Sequence, residues 1–414
     1  MSDKVYVYGV GMIKFGKYLK KGIKNITGEA LESLQKDCDV DFNDIEAAWF
    51  SNCAWGFFSN QQSIRGQVAL SANKIDKIPI INVENACASG STAFHGAWTA
   101  IKAGIYDCAL AIGAEKIYNE DRAKMMKSFM IYTDVEVTTK FIEQLKKQDK
   151  KRKEKKAKEE GLELKEEKKG GHSAFMDIYA MAARAHMKRY GTTQRQLAII
   201  AAKNHNNSVL NPLAQYNFPM TVEEVLNDYE VAYPLTRAMC APVGDGAAAA
   251  ILCSEKFLKD HPNPRAILVR ASVLRSGSWR KDDVALRAAK AAYEMAGLGP
   301  EAIDIAELHD ATAFGEVHQS EQMGLCPIGK GGPFAESGAT ALDGKIPINT
   351  SGGLISRGHP LGASGLAQIY ELVTQLRGEA GERQVKANIA LAENGGGTIG
   401  FGEAAMCVTL LEKV

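Results

Sequence analysis

IINVENACASGS, residues 80–91, and IPINTSGGLISRGHPLGASG, residues 346–365, follow the same local pattern. Each begins with a short apolar run that favours a buried strand and continues into a turn of small residues. A helical pattern follows each turn, to about residue 103 and to about residue 376, and strand patterns come next at residues 108–113 and 386–392. A strand, turn, helix and strand that occur twice predict a duplicated α/β unit with parallel sheets.

The composition indicates a protein with a large buried core and no strong electric field. Its 414 residues are 45% hydrophobic and the net charge is +1, so nothing in the whole molecule attracts nucleic acid or an anionic membrane. No apolar run approaches the ~20 residues of a membrane span, and the first residues do not resemble a signal peptide. We therefore expect a soluble, cytoplasmic protein.

The eight cysteines form no Cys-x-x-Cys pair, which predicts free thiols and no zinc site.

Cys87 lies in the first small-residue turn, where a strand pattern meets a helical pattern. Small neighbours let a ligand approach the backbone, and a helix N-terminus offers unpaired N–H groups and a partial positive charge. Both features are expected to lower the pKa of a thiol and to stabilise an anion beside it. The alternative is a buried structural cysteine in a tight turn.

His359 lies in the second turn, between Gly358 and Pro360. The proline restricts the backbone and orients the imidazole. A neutral imidazole is a suitable base for a thiol near pH 7. The alternative is a phosphate-binding loop with an incidental histidine, but the spacing matches neither a P-loop nor a dinucleotide fingerprint.

Four motifs, in order, resemble those of the thiolases and cover essentially the whole chain. Residues 85–91 (NACASGS) are similar to the nucleophile turn, and residues 349–365 resemble the histidine loop. Residues 240–249 (CAPVGDGAAA) resemble the segment before the last strand of the N-terminal half. Residues 307–310 (ELHD) resemble the His-Asp motif of the sterol-carrier-protein-type and archaeal-type branch.

The resemblance implies a duplicated thiolase fold of five layers, αβαβα, with a loop domain inserted in the N-terminal half. It implies that the N-terminal half spans residues 1–117 and 233–265, the loop domain 118–232 and the C-terminal half 266–414. Residues 144–169, with 12 basic and 7 acidic side chains, form a charged insertion within the loop domain. Such a segment predicts a solvated surface. The alternatives are a basic arm near the 3′-phosphate of coenzyme A and a docking surface for another subunit.

The resemblance also implies roles for single residues. Cys87 matches the nucleophile that becomes acylated, and His359 matches the base that activates it. His309 matches the residue that helps to hold the thioester oxygen, and the backbone N–H groups of Gly396 and Cys87 match a second oxyanion site. Residues implied to contact coenzyme A are Ala241, Pro242, Gly353 and Ser356. Coenzyme A is then a co-substrate, and neither a metal nor a permanently bound cofactor is implied.

The sequence departs from the family where a second catalytic cysteine moves the proton on the reacting carbon. The cysteine of the Cys-x-Gly motif is missing from residues 393–395 (ENG), and no cysteine follows His309 and Asp310 closely. Glu393 is the leading candidate to replace it, because a desolvated carboxylate can have its pKa raised toward neutrality. A structural glutamate is the alternative, and Cys326 is a further candidate.

The implied reaction is the cleavage of a 3-oxoacyl-CoA by coenzyme A, or the reverse Claisen condensation. Together, the charged insertion and the missing cysteine resemble the 2-benzoylsuccinyl-CoA thiolase of anaerobic toluene degradation. Residues that could line a pocket for a bulky or aromatic acyl group are Trp55, Phe57, Phe58, Trp98, Met125, Met126 and Met130, although core packing is an alternative. The family implies a homodimer at least, and archaeal-type members suggest a small OB-fold partner with a zinc ribbon.

Two other functions remain open from the sequence. One is a different cysteine-dependent condensing enzyme, of the ketoacyl synthase or hydroxymethylglutaryl-CoA synthase type, which the Gly-His-Pro loop disfavours. The other is a non-catalytic subunit that binds acyl-CoA as a scaffold. The missing cysteine favours this second reading, whereas the presence of Cys87, His309 and His359 disfavours it.

Overall fold

The computed structural model describes residues 4–140, 143, 174–280, 283–400 and 402–414, so the charged segment 144–169 lies outside the described residues. The strands are β1 (Val5–Met12), β2 (Ala47–Ser51), β3 (Ile80–Val83), β4 (Cys108–Glu115), β5 (Glu230–Ala232), β6 (Leu235–Thr236), β7 (Gly246–Ser254), β8 (Ile267–Ser276), β9 (Ile305–Glu307), β10 (Ile389–Ile399) and β11 (Gly402–Lys413). The described α-helices are α1 (Ile23–Asp37), α2 (Trp55–Ser59), α3 (Arg65–Ser71), α4 (Ser89–Lys102), α5 (Arg122–Ser128), α6 (Ala174–Tyr190), α7 (Gln194–Val209), α8 (Val222–Leu226), α9 (Glu255–Asp260), α10 (Val284–Ala296), α11 (Ala313–Gln322), α12 (Gly331–Glu336) and α13 (Leu361–Arg377).

Nine strands form one sheet in the order β3-β2-β4-β7-β1-β8-β11-β10-β9. The prediction of parallel sheets is wrong in part, because β2 runs parallel to β3 and β4 but β7 runs antiparallel to β4 and β1. The chain leaves β4 at Glu115 and returns at Gly246, which is the register partner of Glu115. A strand that starts where its neighbour ends must run the other way.

Alternate side chains of the strands point into different apolar layers. In β4, Ala109 and Ala111 pack toward α4 and α13, whereas Leu110 and Ile112 pack toward α1 and α3. The second half repeats this arrangement, with Leu391 of β10 packed in the cluster that contains α10. Both faces of each half-sheet are therefore covered by helices. This confirms the predicted α/β fold of five layers.

A long excursion leaves the sheet between residues 116 and 245. It contains α5, α6, α7 and α8 and the β5–β6 hairpin, and α6 and α7 pack against Ala313, Phe314 and Val317 of α11 in the C-terminal half. The exact domain boundaries stay predictions. None of the described helices combines the length and the apolar character that crossing a bilayer requires.

Helices α4 and α13 of the central layer touch at their N-termini because the contact residues are glycines. A Cβ added to Gly365 would lie 2.1 Å from Ser91 Oγ, and one added to Gly90 would lie 3.0 Å from the Gly362 carbonyl oxygen. The small residues of both turns thus allow two helices to meet, in addition to leaving room for a ligand. Residues 346–350, predicted as a strand, form only an isolated bridge between Ile348 and Ala306.

Replacing Gly365 by alanine is expected to destabilise the protein by about 1–3 kcal/mol, because overpacking would push the two helices apart. The midpoint of thermal unfolding, followed by circular dichroism, measures this loss. Gly16→Ala is the matched control, since its added Cβ would meet only Tyr18, at 3.6 Å. Equal midpoints for the two variants would contradict the tight contact.

Candidate active site

The turn before α4 holds Cys87 in a strained backbone. Ala86, which precedes it, has φ +49°, a left-handed conformation that is uncommon for a residue with a side chain. The carbonyl of Ala86 accepts hydrogen bonds from Ser89 Oγ at 2.6 Å and from Cys53 Sγ at 2.9 Å. These bonds fix the turn, so that Cys87 borders a large cavity.

Cys87, His309 and His359 meet at this cavity. The sulfur of Cys87 and ring nitrogens of both histidines lie within 4.8 Å of one another, and the two imidazoles meet edge to face with centroids 5.2 Å apart. The structure therefore brings together the three side chains predicted to do the chemistry. Among the described residues, this is also the one group whose spacing could hold a metal ion. The expectation of a metal-free site stays a prediction.

The hydrogen bonds of His359 assign its tautomer. Ser364 Oγ donates to the Pro360 carbonyl at 2.9 Å and lies 2.7 Å from His359 Nδ1. Because the single hydroxyl proton is used in the first bond, Ser364 Oγ accepts from His359 Nδ1–H. His359 Nε2 is then unprotonated, and it has no hydrogen-bond partner among the described residues. A free lone pair beside Cys87 is the arrangement of a general base.

The hydrogen bonds of His309 assign the opposite tautomer. Asn394 Oδ1 accepts from Ser91 Oγ at 2.9 Å, so Asn394 Nδ2 is the atom that lies 2.9 Å from His309 Nδ1. An amide NH₂ can only donate, and His309 Nδ1 therefore accepts. The proton of the neutral ring is on Nε2, where it can donate a hydrogen bond to a substrate oxygen. One histidine of the pair can thus accept a proton, and the other can donate a hydrogen bond.

Burial keeps the three groups neutral. It raises the pKa of the Cys87 thiol to about 12, against the backbone N–H groups of Gly397 and Cys87, which favour the thiolate. It also lowers the pKa of His309 to about 4 and that of His359 well below its usual range, and the charge of Arg357 contributes to both shifts. The expectation that the helix N-terminus lowers the thiol pKa is therefore wrong, because desolvation is the larger effect.

The glycine loop of β10, residues 395–397, packs directly on the nucleophile turn. A Cβ on Gly396 would lie 2.2 Å from the Asn85 carbonyl oxygen and 2.5 Å from the Ala88 nitrogen, so only glycine fits. Gly396 borders the cavity, as predicted for an oxyanion donor. The amide of the next residue, Gly397, acts on the Cys87 sulfur together with the amide of Cys87 itself.

The residues predicted to contact coenzyme A fall into two groups. Ala241 and Pro242 line the cavity, but Gly353 and Ser356 do not belong to its wall. The latter two lie in a buried π-helical turn, Gly353–Arg357, where Ser356 Oγ is 2.7 Å from Ser208 Oγ. Asp310 holds this turn by accepting from the Leu354 amide at 2.7 Å. Gly353 and Ser356 are therefore placed to shape the histidine loop.

Glu393 is fully buried and lies behind the cavity wall. Its Oε2 accepts from the His309 amide at 2.8 Å, and its Oε1 has no hydrogen-bond partner among the described residues. Burial raises the pKa of Glu393 to about 8, and the charges of Glu403 and Asp310 add to this shift. Its predicted proton-transfer role stays a prediction. Cys326, the further candidate, is buried and also lies outside the wall.

The cavity has a volume of about 2130 Å³ and an aromatic wall near the nucleophile. Phe58, Phe129, Tyr132 and Phe175 belong to the apolar cluster that includes Cys87. Of the side chains predicted to line an acyl pocket, Met125 and Met126 border the cavity and Phe58 joins this cluster, but Trp98 packs in the central core. The remaining predicted side chains, Trp55, Phe57 and Met130, are not part of the cavity wall.

Sequence reasoning missed Ser364, Asn394 and Gly397, which contact His359, His309 and Cys87 respectively. Ser364 follows His359 by five residues and so lies in the first turn of α13, below the imidazole. Asn394 directly follows Glu393 in the stretch already singled out. Both residues lie in or beside the motifs that the sequence analysis identified. Which polar side chain of a motif faces the site, however, depends on the tertiary fold.

Alkylation of Cys87 by iodoacetamide should become faster by about tenfold per pH unit between pH 7 and 9. A thiol with a pKa of about 12 remains mostly protonated there, and only the thiolate reacts. Mass spectrometry of the Cys87 peptide at each pH gives the rate, with glutathione as the reference thiol. A rate that levels off below pH 8 would show that the folded site stabilises the thiolate instead.

Both halves of the chain match known protein families. Residues 5–232 match the family described as thiolase, N-terminal domain, and residues 272–409 match the thiolase C-terminal domain-like family. An acetyl-CoA acetyltransferase of Methanothermobacter thermautotrophicus is 37% identical over 405 residues, which cover 96% of this chain and 97% of the relative. The benzoylsuccinyl-CoA thiolase subunit BbsB of Thauera aromatica is 32% identical, with 93% and 92% covered.

A solved structure described as the Ltp2-ChsH2(DUF35) aldolase has a similar fold. The TM-score is 0.75 at 19% sequence identity, and the match covers 99% of this chain and 98% of that chain. Both halves of the sequence match thiolase domains, and the two relatives align over nearly their full length. The chain therefore belongs to the thiolase family, a family of acyl-CoA acyltransferases.

Proposed function

We propose that this protein transfers an acyl group between a 3-oxoacyl-CoA and coenzyme A through a thioester on Cys87. The observation that supports this most is the pair of opposite histidine tautomers beside the thiol. His359 has a free lone pair for the Cys87 proton, and His309 has an N–H for the carbonyl oxygen. Coenzyme A acts as a co-substrate, without a permanently bound cofactor or metal.

The first half-reaction begins when His359 Nε2 takes the thiol proton and Cys87 attacks the 3-oxo carbonyl. The carbonyl oxygen becomes an oxyanion, which a protein stabilises with fixed donors. The backbone N–H groups of Gly396 and Cys87 supply the donors for this oxyanion, and His309 Nε2–H donates to the thioester oxygen. Each such donor typically contributes roughly 3 kcal/mol to lowering the barrier. The carbon–carbon bond then breaks and leaves the acyl group on Cys87.

In the second half-reaction, coenzyme A attacks the acyl group on Cys87. The sulfur of Cys87 departs and takes its proton back from His359, so the histidine returns to the neutral form. A neutral histidine pair suits this cycle, because His359 must accept a proton and His309 must donate a hydrogen bond without carrying charge. Reversal of the same steps gives a Claisen condensation.

The aromatic wall supports a bulky or aromatic acyl group as the substrate. Phe129, Tyr132 and Phe175 provide flat apolar surfaces next to Cys87, and aromatic rings pack well on such surfaces. The 32% identity to the benzoylsuccinyl-CoA thiolase subunit points the same way. Ala241 and Pro242, at the cavity wall, are proposed to contact coenzyme A.

Cys87→Ser should abolish thiolysis, whereas Cys240→Ser should retain it within about threefold. Both cysteines border the cavity, but only Cys87 lies beside the two histidines. Incubation with aliphatic and aromatic 3-oxoacyl-CoA thioesters and coenzyme A, followed by intact mass spectrometry, measures product and acyl adduct together.

An acyl adduct on Cys87 in wild type and in Cys240→Ser, absent from Cys87→Ser, is the expected result. Failure of every thioester to acylate the wild-type protein would instead support the scaffold subunit. Condensation that depends on malonyl or acetyl thioesters, without thiolysis, would support another condensing enzyme.

We also propose a cytoplasmic homodimer that pairs through β3. This strand ends the sheet, has β2 as its neighbour among the described strands, and leaves Ile81 38% exposed. An unpaired edge of this kind is a template for a second strand.

The Ltp2-ChsH2(DUF35) aldolase, named for two components, supports an additional small subunit, which we propose to be an OB-fold protein with a zinc ribbon.

Light scattering should give the isolated chain twice its mass of 44.8 kDa, and Ile81→Lys should reduce this to one chain mass. A buried lysine at a strand edge opposes pairing. The complex purified from its native source should have extra mass and contain zinc. An isolated chain that is monomeric, or a native complex without added mass and zinc, would contradict the respective part of the assembly.

A further inference from the structure

We propose that Glu403 moves the proton on the reacting carbon, in the place of the absent second cysteine. This assignment rests on the proposed function, since it concerns the carbon that is released when the acyl group moves to Cys87. It differs from the sequence prediction, which named Glu393. The two carboxylates lie near each other, but only Glu403 borders the cavity.

Glu403 reaches the cavity from the start of β11. It pairs with Thr398 across the β10–β11 hairpin, and its side chain is half-buried. Gln319 Nε2 of α11 donates to Glu403 Oε1 at 3.0 Å. Oε2 accepts no hydrogen bond from the described part of the chain. One oxygen is therefore held in position while the other remains available to a substrate.

The glycine loop connects Glu403 to the nucleophile turn. Glu403 Cγ lies 3.1 Å from where a Cβ on Gly395 would be, and the next residue, Gly396, packs on Asn85 and Ala88 at either side of Cys87. A side chain at residue 395 would separate the carboxylate from the loop. Glu403 and Cys87 thus border the same cavity on adjoining parts of its wall.

Two neighbours support this location. Tyr179 of α6 borders the cavity together with Cys87 and Glu403. Glu393 Oε1 lies 3.7 Å from the Cβ position of Gly395, on the buried side. Glu393 is therefore near Glu403 but does not belong to the cavity wall, although only its Oε2 accepts from the His309 amide.

The proton balance closes over one thiolysis cycle. When the bond between C2 and C3 breaks, its electron pair goes to C2, and the protonated Glu403 carboxyl gives its proton to that carbon. In the second half-reaction the Glu403 carboxylate takes the thiol proton of coenzyme A, whose sulfur then attacks the acyl group on Cys87. The Cys87 proton moves to His359 and back. In condensation, the Glu403 carboxylate removes the C2 proton of the attacking acyl-CoA.

The test measures exchange of C2 protons of acyl-CoA in D₂O, with acylation of Cys87 recorded in the same samples. Glu403→Gln should keep acylation by acyl-CoA, because coenzyme A can leave as a thiolate and the amide oxygen can still accept from Gln319, but should lose exchange and thiolysis by roughly 100-fold or more. Glu120→Gln, an exposed glutamate at the same cavity, is the matched control and should retain both. Loss of exchange without loss of acylation is a result that misfolding cannot produce.

Exchange by Glu403→Gln within about threefold of wild type would overturn the assignment. Loss of exchange in Glu393→Gln, with exchange retained in Glu403→Gln, would overturn it in favour of Glu393. Failure of the wild-type protein to acylate Cys87 would contradict the proposed function itself. Acylation and exchange are measured separately in each sample, so the two failures can be distinguished.

Discussion

The contact between the N-termini of α4 and α13 is the constraint on which the rest of the site depends. Cys87 precedes one helix and His359 precedes the other, so the two side chains meet only if the helix ends touch. Glycines at the contact make this possible, and buried Glu115 reinforces it by accepting from the Gly362 amide at 3.1 Å and the Cys53 amide at 3.0 Å. One carboxylate thereby ties both half-structures together.

The same contact buries the thiol and both imidazoles, so their protonation depends on burial and on neighbouring hydrogen bonds. Charges are costly in such a place, and the thiol and both imidazoles are held neutral. Ser364 and Asn394 then fix which nitrogen of each ring has the proton. One neighbouring atom for each ring, Ser364 Oγ for His359 and Asn394 Nδ2 for His309, thus gives the two histidines opposite tautomers.

Much of this could be predicted from the sequence. The small-residue turns, the order of the motifs and the histidines between restrictive neighbours indicated the layered fold and the trio of Cys87, His309 and His359. The direction of β7 could not be predicted, because it depends on where the excursion returns to the sheet. The thiol pKa was predicted in the wrong direction, since local sequence reveals the helix N-terminus but not the depth of burial.

The sequence by itself determined which side chains can do the chemistry and which turns present them. Only the tertiary structure decided which of these side chains border the cavity and which lie behind its wall. Glu393 and Glu403 are both acidic residues near one glycine loop, yet one lies behind the wall and the other borders the cavity. Adjacent strands of a hairpin bring distant positions side by side, and the pleat sends each side chain to one face, so that this choice depends on register across the sheet.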